Sequence, residues 1–383
     1  MWLRSVRQTE YRSVVRYYID GFLEALDSIR ARGCMPFLFF AGLVKASGGG
    51  TIGGMPGNFT HTFEDIISLE NLLEAWREFR KGKSCRNDVL EFEQHLMSNL
   101  IVLHHDLDSK RYMHGAYSAF RINDPKPREI HKASVRDRVL HRALYRILYP
   151  YFDVRFIYDS YSCIDGKGTH KALDRFRAMA YMVSKNHTRT AWVLKCDIRK
   201  FFASISHEVL MEILRKHIID KDILRLLRTI IRSFSSVSGV GLPLGNLTSQ
   251  VLANVYMDEF DQWMKHSLHA RYYIRYADDF VIFSDDRKWL ESIIPGIQNF
   301  LSSRLYLKLH PDKLFLKTVA SGVDFLGWVH FPDHRVVRTA TKRRMMSRLE
   351  KSEGSEAQLQ SYLGLLGHGN TRKIRQQITD KMF

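Results

Sequence analysis

Cysteine is scarce in this chain, and what little there is lies scattered. Cys34, Cys85, Cys163 and Cys196 form no CxxC pair and have no histidines at matching spacing. That argues against a disulfide framework and a structural zinc centre, and it fits a reducing, cytoplasmic compartment. Long apolar runs are missing too. Met35 to Val44 is apolar for only about ten residues, half of the ~20 that span a bilayer, and it lies too deep for a secretory signal. The chain is therefore expected to be cytoplasmic with no membrane partner, and the Asn-x-Thr triplets at Asn58, Asn186 and Asn246 carry no glycan argument. The glycine-rich stretch Ser47–Gly57 lacks the Gly-Lys-Ser/Thr ending of a phosphate loop and reads as a linker. Internal repeats and low-complexity segments are absent.

Positive charge, by contrast, is in excess. Lys and Arg number 58 against 41 Asp and Glu, a formal +17. Such a chain suits a polyanion, because neutralising phosphates releases their condensed counterions. Cations and rings are interleaved, as in Tyr11, Arg12, Arg16, Tyr17 and again in Arg271, Tyr272, Tyr273, Arg275. Rings can stack on bases while cations hold phosphates, although most of these rings are core. A length of 383 residues allows more than one hydrophobic core.

Residues 1–45 read as mainly helical, with Tyr11, Val15, Tyr18, Phe22 and Leu26 on one face; 62–105 is again amphipathic. Tyr117–Ile122 and Arg128–His131 read as strands around a Pro125-Lys126-Pro127 turn, and Val135–Leu148 as helix. Trp192–Ile198 is an apolar strand, followed by a helix that Ser206 could cap. Arg271–Tyr276 and Phe280–Ser284 are apolar runs broken by Ala277-Asp278-Asp279, a hairpin with acidic residues at its tip. A helix over 288–303 runs through Pro295, Leu305, Leu307 and Leu309 alternate as a further strand, and the tail from Thr341 is helical and basic.

The carboxylates invite chemistry. Asp197 ends an apolar strand and Asp278-Asp279 sit at a turn between two more. Carboxylates at the ends of buried strands are costly unless a cation shares the site, and such hard oxygens suit Mg²⁺. Asp-Asp at a turn is also an ordinary way to stabilise the turn, and Asp285-Asp286 reads as just that.

At this point the sequence resembles a family. Tyr276-Ala277-Asp278-Asp279 looks like the YxDD box of reverse transcriptases. Asp197-Ile-Arg-Lys-Phe-Phe202 is similar to their first carboxylate motif, and Gly241-Leu-Pro-Leu-Gly-Asn-Leu-Thr-Ser-Gln250 to the loop-helix beneath template and nucleotide. Leu309-His-Pro-Asp-Lys313 and Gly322-Val-Asp-Phe-Leu-Gly327 resemble the two motifs that follow, the second being the primer grip. These stand in the family's order over about 130 residues. Val135-Arg-Asp-Arg-Val139 and Ser160–His170 resemble the fingers motifs of the bacterial group II intron and retron-like lineage. The likeness runs from about residue 62 to the tail, and Leu244-Gly245 through Ser249-Gln250 is nearest to the diversity-generating retroelement variant.

The resemblance implies an α+β right-hand polymerase: an N-terminal extension and linker (1–61), fingers (62–189), a palm (190–331) and a basic helical thumb (332–383). It implies two Mg²⁺ ions, with Mn²⁺ as the substitute, held by Asp197, the Ile198 carbonyl and Asp278, with Asp279 more peripheral. Phe202 would lie under the nucleotide sugar and exclude a 2′-hydroxyl, or be core like Phe201. Lys126 and Arg128 would hold the triphosphate, or be solvated surface. Lys313 would protonate the leaving pyrophosphate, or form a structural salt bridge. Gly245 and Gln250 would lie near the new base pair. The implied partners are an RNA template, a DNA or RNA primer, deoxynucleoside triphosphates, a cognate structured RNA and a small accessory protein. No nuclease signature follows the tail. Rival readings are a phage-defence reverse transcriptase, an RNA-making palm, which Phe202 disfavours, a two-metal nuclease, and a non-catalytic maturase-like RNA binder.

Overall fold

Thr62 sets the start of the first helix in the computed structural model, which describes residues 57–123, 127–351 and 356–379. Its hydroxyl accepts from the Asp65 N–H while the Asp65 carboxylate accepts from the Thr62 N–H, a reciprocal cap for Phe63–Ile67. The helix read over 1–45, most of the glycine-rich linker and the Pro125-Lys126 part of the turn lie outside the described residues.

The chain divides into two compact units. One takes the described part of Met1–Arg155 together with Arg215–Ser233 and Gly245–Thr248; the other takes Phe156–Leu214, Phe234–Leu244 and Ser249–Phe383.

In the first unit, helices Leu69–Arg80, Asn87–Gln94, Leu96–Asp108 and Val135–Asp153 bury Leu72, Trp76, Phe79, Leu100, Leu103, Leu140 and Leu144. These are the apolar positions that recur every three or four residues. Asn71 enters this core with its hydrogen bonds satisfied: its amide donates to the Ile66 and Ala143 carbonyls, and its oxygen accepts from Arg146. Strands β1 (Ser118–Ile122) and β2 (Arg128–Lys132) form the expected hairpin, with Ile122 opposite Arg128. Gly245 and Asn246 belong to this unit and meet β2. Asn246 donates to the His131 carbonyl at 2.9 Å, and a Cβ on Gly245 would stand 2.7 Å from Ile130 Cγ2, at a backbone φ of +100°. Only glycine accepts both conditions.

The second unit is built on a sheet of order β4-β5-β3-β6: β3 (Trp192–Asp197), β4 (Tyr273–Tyr276), β5 (Asp279–Ser284) and β6 (Phe315–Thr318), all antiparallel. Val193, Leu194, Phe280, Val281, Ile282 and Phe283 are buried in it, as continuous apolar runs require when both faces are covered. Helix Arg287–Arg304 does run through Pro295 and packs on the sheet, with Asp286 capping it through the Trp289 N–H at 3.1 Å. Asp285 and Asp286 are exposed, as their reading as a solvated turn required.

Two local expectations need correction. Leu305–Leu309 is not a strand. Leu305 and Leu307 are buried, but Tyr256 and the Leu307 N–H spend their bonds on the Leu305 and Leu301 carbonyls, and only Leu309 bridges, to Ile198. The alternation was real; the ladder that would make it a strand is not formed. The hairpin tip is also shorter than expected. Tyr276 pairs with Asp279, so the turn is Ala277-Asp278 alone, with Ala277 at φ +54°. A separate three-stranded sheet follows, β7 (Val323–Phe325), β8 (Trp328–His330) and β9 (Arg335–Val337), and then helices Thr339–Lys351, Glu356–Leu366 and Arg372–Thr379.

Burial, reinforced by the positive charge of neighbouring His114, pulls the pKa of His141 down to about 3. Its Nε2 stands 3.2 Å from His114 Nε2. A histidine whose folded pKa lies below its ordinary value stabilises the fold at high pH, and that stability is lost as pH falls from about 6.5 towards 3. His330 in the second unit is shifted the same way. Denaturant midpoints should therefore fall on acidification below pH 6.5, and His141→Gln should flatten part of that dependence; an unchanged slope would refute the assignment.

Candidate active site

Strand register brings the carboxylates together. Asp197, the last residue of β3, lies directly opposite Asp279, the first of β5, so both side chains project from the same face. Asp278 is held in the turn between β4 and β5, and its carbonyl accepts the Ile198 N–H at 3.0 Å. Lys313, in a 3₁₀ turn Pro311–Lys313, donates to Asp197 Oδ1 at 2.7 Å. Asp197, Ile198, Asp278, Asp279 and Lys313 are thus neighbours, although the outermost, Asp197 and Lys313, are 116 residues apart in the chain.

Asp279 carries the electrostatic cost of this arrangement. Burial raises its pKa to about 7, and the charges of Asp197 and Asp278 push the same way. Lys195 opposes them, its ammonium 3.2 Å from Asp279 Oδ2 and donating to the Asp324 carbonyl at 2.9 Å. Asp279 Oδ1 remains buried without a hydrogen-bond partner. A buried carboxylate oxygen with no donor, beside two more carboxylates, has the chemistry of a hard-cation ligand. Among the described residues no three His, Cys, Asp or Glu side chains already form an ion cage; the lysine ammoniums hold the carboxylates instead.

The turn is braced from behind by Arg275, fully buried on β4. Its guanidinium grips Asp261 through Nε (2.8 and 2.9 Å) and Nη2 (2.6 Å), and reaches Ser160 Oγ, Asn254 Oδ1 and the Ala277 carbonyl. Tyr273 adds a hydroxyl to Asp261 at 2.7 Å. Burial disfavours the Arg275 charge, but Asp261 more than offsets it and raises the pKa further. The main chain is tied as well, since Tyr161 donates to the Arg275 carbonyl and Arg275 to that of Asp159. The Ser160 motif is therefore packed beside the hairpin.

The other predicted residues are placed as follows. Phe202 is half-buried in a short helix, Phe201–Ser204, and its carbonyl accepts the Leu242 N–H at 2.8 Å, which ties the first carboxylate motif to the Gly241 loop. Gln250 is half-buried in helix Leu247–Gln262. Arg128 is exposed at the start of β2 in the first unit, where Gly245 also lies; Lys126 is outside the described residues. Arg275, read among the cations that could hold phosphates, is instead fully buried on Asp261, and sequence reasoning missed Lys195 and Asp261. Lys195 could have been found: two residues before Asp197 in an apolar strand, it must share that residue's face.

Residues 123–330, more than half of the chain, match the model of the family described as reverse transcriptase (RNA-dependent DNA polymerase). The chain belongs to the reverse transcriptase family. Among curated proteins, this reverse transcriptase is similar to Protein YkfC of Escherichia coli, with 26% identity covering 72% of this chain and 83% of YkfC. It also resembles the COX1/OXI3 intron 2 protein of Saccharomyces cerevisiae (22% identity, 36% of this chain, 23% of that protein). The chain thus spans most of YkfC but less than a quarter of the intron protein. A solved telomerase of Candida albicans, in complex with a telomeric RNA fragment, aligns at a TM-score of 0.46 and 12% identity over 61% of this chain and 48% of that one. No described helix is long and apolar enough to cross a membrane.

Removing one partner from the buried ion pair should be severe. Arg275→Met leaves Asp261 buried and unpaired and should cost about 3–5 kcal/mol in denaturant unfolding. Arg275→Met combined with Asp261→Leu should recover much of it; equal stability of the single variant and wild type would show that the pair is not closed in solution.

Proposed function

We propose that the chain is an RNA-directed DNA polymerase that extends a primer on an RNA template by two-metal phosphoryl transfer. The observation that carries this is the pairing of Asp197 with Asp279 across β3 and β5, with Asp278 in the adjoining turn, inside a reverse transcriptase domain. Asp197 and Asp278, assisted by the Ile198 carbonyl, would ligate two Mg²⁺ ions, and the partnerless oxygen of Asp279 supports a more peripheral contact. When bound, the ions supply charge stabilisation for the attacking 3′-hydroxyl and the leaving pyrophosphate. Everything else is positioning by the chain's own groups. Phe202 sits below the sugar and turns away a 2′-hydroxyl. Lys313, an ammonium already within 2.7 Å of Asp197, is the proton donor to pyrophosphate. Lys126 and Arg128 hold the triphosphate, and Gly245 and Gln250 adjoin the new base pair.

In this reading 62–189 are fingers, 190–331 the palm, 332–383 the thumb and 1–61 an extension that meets an RNA or a small accessory protein. The biological setting we favour is a diversity-generating retroelement, on the residues from Leu244-Gly245 to Ser249-Gln250. The second reading is a non-catalytic maturase-like RNA-binding protein with the same fold, and its support is that an intron-encoded protein is among the relatives.

Primer extension decides the chemistry. On a generic RNA template with Mg²⁺, labelled primer should extend with deoxynucleotides, with Mn²⁺ able to substitute and chelation stopping it. Asp278→Ala/Asp279→Ala should abolish it; extension by that variant would sink the metal-site assignment. Phe202→Ala should lose about tenfold to a hundredfold in discrimination against ribonucleotides, the scale on which a steric pocket selects, and unchanged discrimination would return Phe202 to the core.

A further inference from the structure

Just beyond Asp197, within the second unit, the surface opens into a cleft of about 490 Å³. Arg199, Lys200, Lys308 and Tyr306 line it, together with Ala203 and Val240. Neither Asp197 nor the Asp278-Asp279 pair lines it, and no acidic side chain does. All three cations are exposed. In a chain of +17, exposed lysines and a lone exposed tyrosine are ordinary. Two features here are not.

The first is how Tyr306 is held. It is 65% exposed although its neighbours Leu305 and Leu307 are 1% and 0% exposed. The chain is pinned on both sides of it: Tyr256 donates to the Leu305 carbonyl at 2.6 Å, Leu307 N–H to that of Leu301 at 2.8 Å, and Arg199 N–H to that of Lys308 at 2.9 Å. The ring is therefore presented outward by an anchored segment, with Lys308 two residues on. The second feature is backbone conformation. Tyr306 has φ +49° and Lys200 φ +48°, a region that residues with a Cβ avoid. Two such residues, from segments a hundred positions apart, face one cleft, and strained backbone of this kind gathers where side chains must be aimed.

We propose that this cleft is a second nucleotide-binding site, which takes one nucleotide of a single-stranded nucleic acid outside the carboxylate site. The base stacks on Tyr306, and the phosphates lie among Arg199, Lys200 and Lys308. A ring face accepts any base, and cations on a strand's flank follow its backbone, so the site is tolerant of sequence. This goes beyond the polymerase reading, because occupancy requires neither metal nor catalysis.

The test is equilibrium binding of a fluorescent single-stranded oligonucleotide to the full chain in EDTA, with a salt titration. Photo-crosslinking of a 5-bromouracil-substituted strand runs beside it, followed by peptide mapping. Tyr306→Ala should weaken binding about tenfold, while Tyr306→Phe keeps the ring and the affinity. Lys308→Ala should weaken binding and lower the salt slope by about one. The crosslinked peptide should contain Tyr306. Unchanged affinity and slope in the two alanine variants, or a crosslink confined to other peptides, overturns the site. Displacement of the strand by excess AMP overturns its assignment to a strand in favour of a free nucleotide. Because no extension is measured, this result stands apart from whether the chain polymerises: failure here with intact primer extension removes only the cleft.

Discussion

Carboxylates do not belong at the ends of buried strands, and the second unit is arranged around keeping three of them there. Cross-strand register makes Asp197 and Asp279 direct neighbours on one face, where like charges repel most strongly. The fold answers with two ammoniums: Lys313 on Asp197 and Lys195 on Asp279. Both come from sequence positions fixed by the same sheet. Lys195 is one pleat back on β3, and Lys313 precedes β6, which pairs with β3 on its other edge. A slip of one residue in β3 against β5 would turn the aspartates to opposite faces and separate them from their lysines.

Arg275 extends that constraint outward. A fully buried guanidinium is tolerable only because Asp261 lies against it with good geometry and the remaining donors are taken by Ser160, Asn254 and the Ala277 carbonyl. One side chain thereby joins the strand before the turn, the turn itself, the long helix and the segment around Ser160. The main-chain bonds of Tyr161 and Asp159 to Arg275 add a parallel bridge beside β4. The position of the Asp278 backbone is set by packing behind it as much as by the hairpin.

What could be read in advance was whatever depends on local pattern. The strand read over Trp192–Ile198, the two strands of the hairpin, the helix through Pro295 and the cap at Ser206 follow from apolar runs, turn residues and capping chemistry; the strand is found as Trp192–Asp197, and the Ser206 hydroxyl accepts the Val209 N–H at 3.4 Å. Asp197, Asp278 and Asp279 stood out through their resemblance to the family's motifs, since Asp-Asp at a turn is by itself ordinary; what the strand register adds is that Asp197 lies opposite Asp279. Asp261 was not, since nothing in its own helix announces a guanidinium fourteen residues later on a different element. The strand expected at Leu305–Leu309 failed for a related reason. Alternating burial is local, but a ladder needs partners, and those carbonyls and N–H groups are claimed by Tyr256, Leu301 and Arg199. The short strands β7 to β9 were likewise hidden, being three residues each and too brief for any periodicity to register.

The division of the chain also bears on how the protein is made. The first unit takes Arg215–Ser233 and Gly245–Thr248 as well as the described residues up to Arg155. Its hairpin cannot receive Asn246 until a stretch of the second unit has already left the ribosome. A chain stopped at Arg155 therefore lacks residues that complete its own unit, and bringing those later segments back carries a loop-closure cost. Because the segments of the two units alternate along the chain, no cut at a single peptide bond separates one unit from the other.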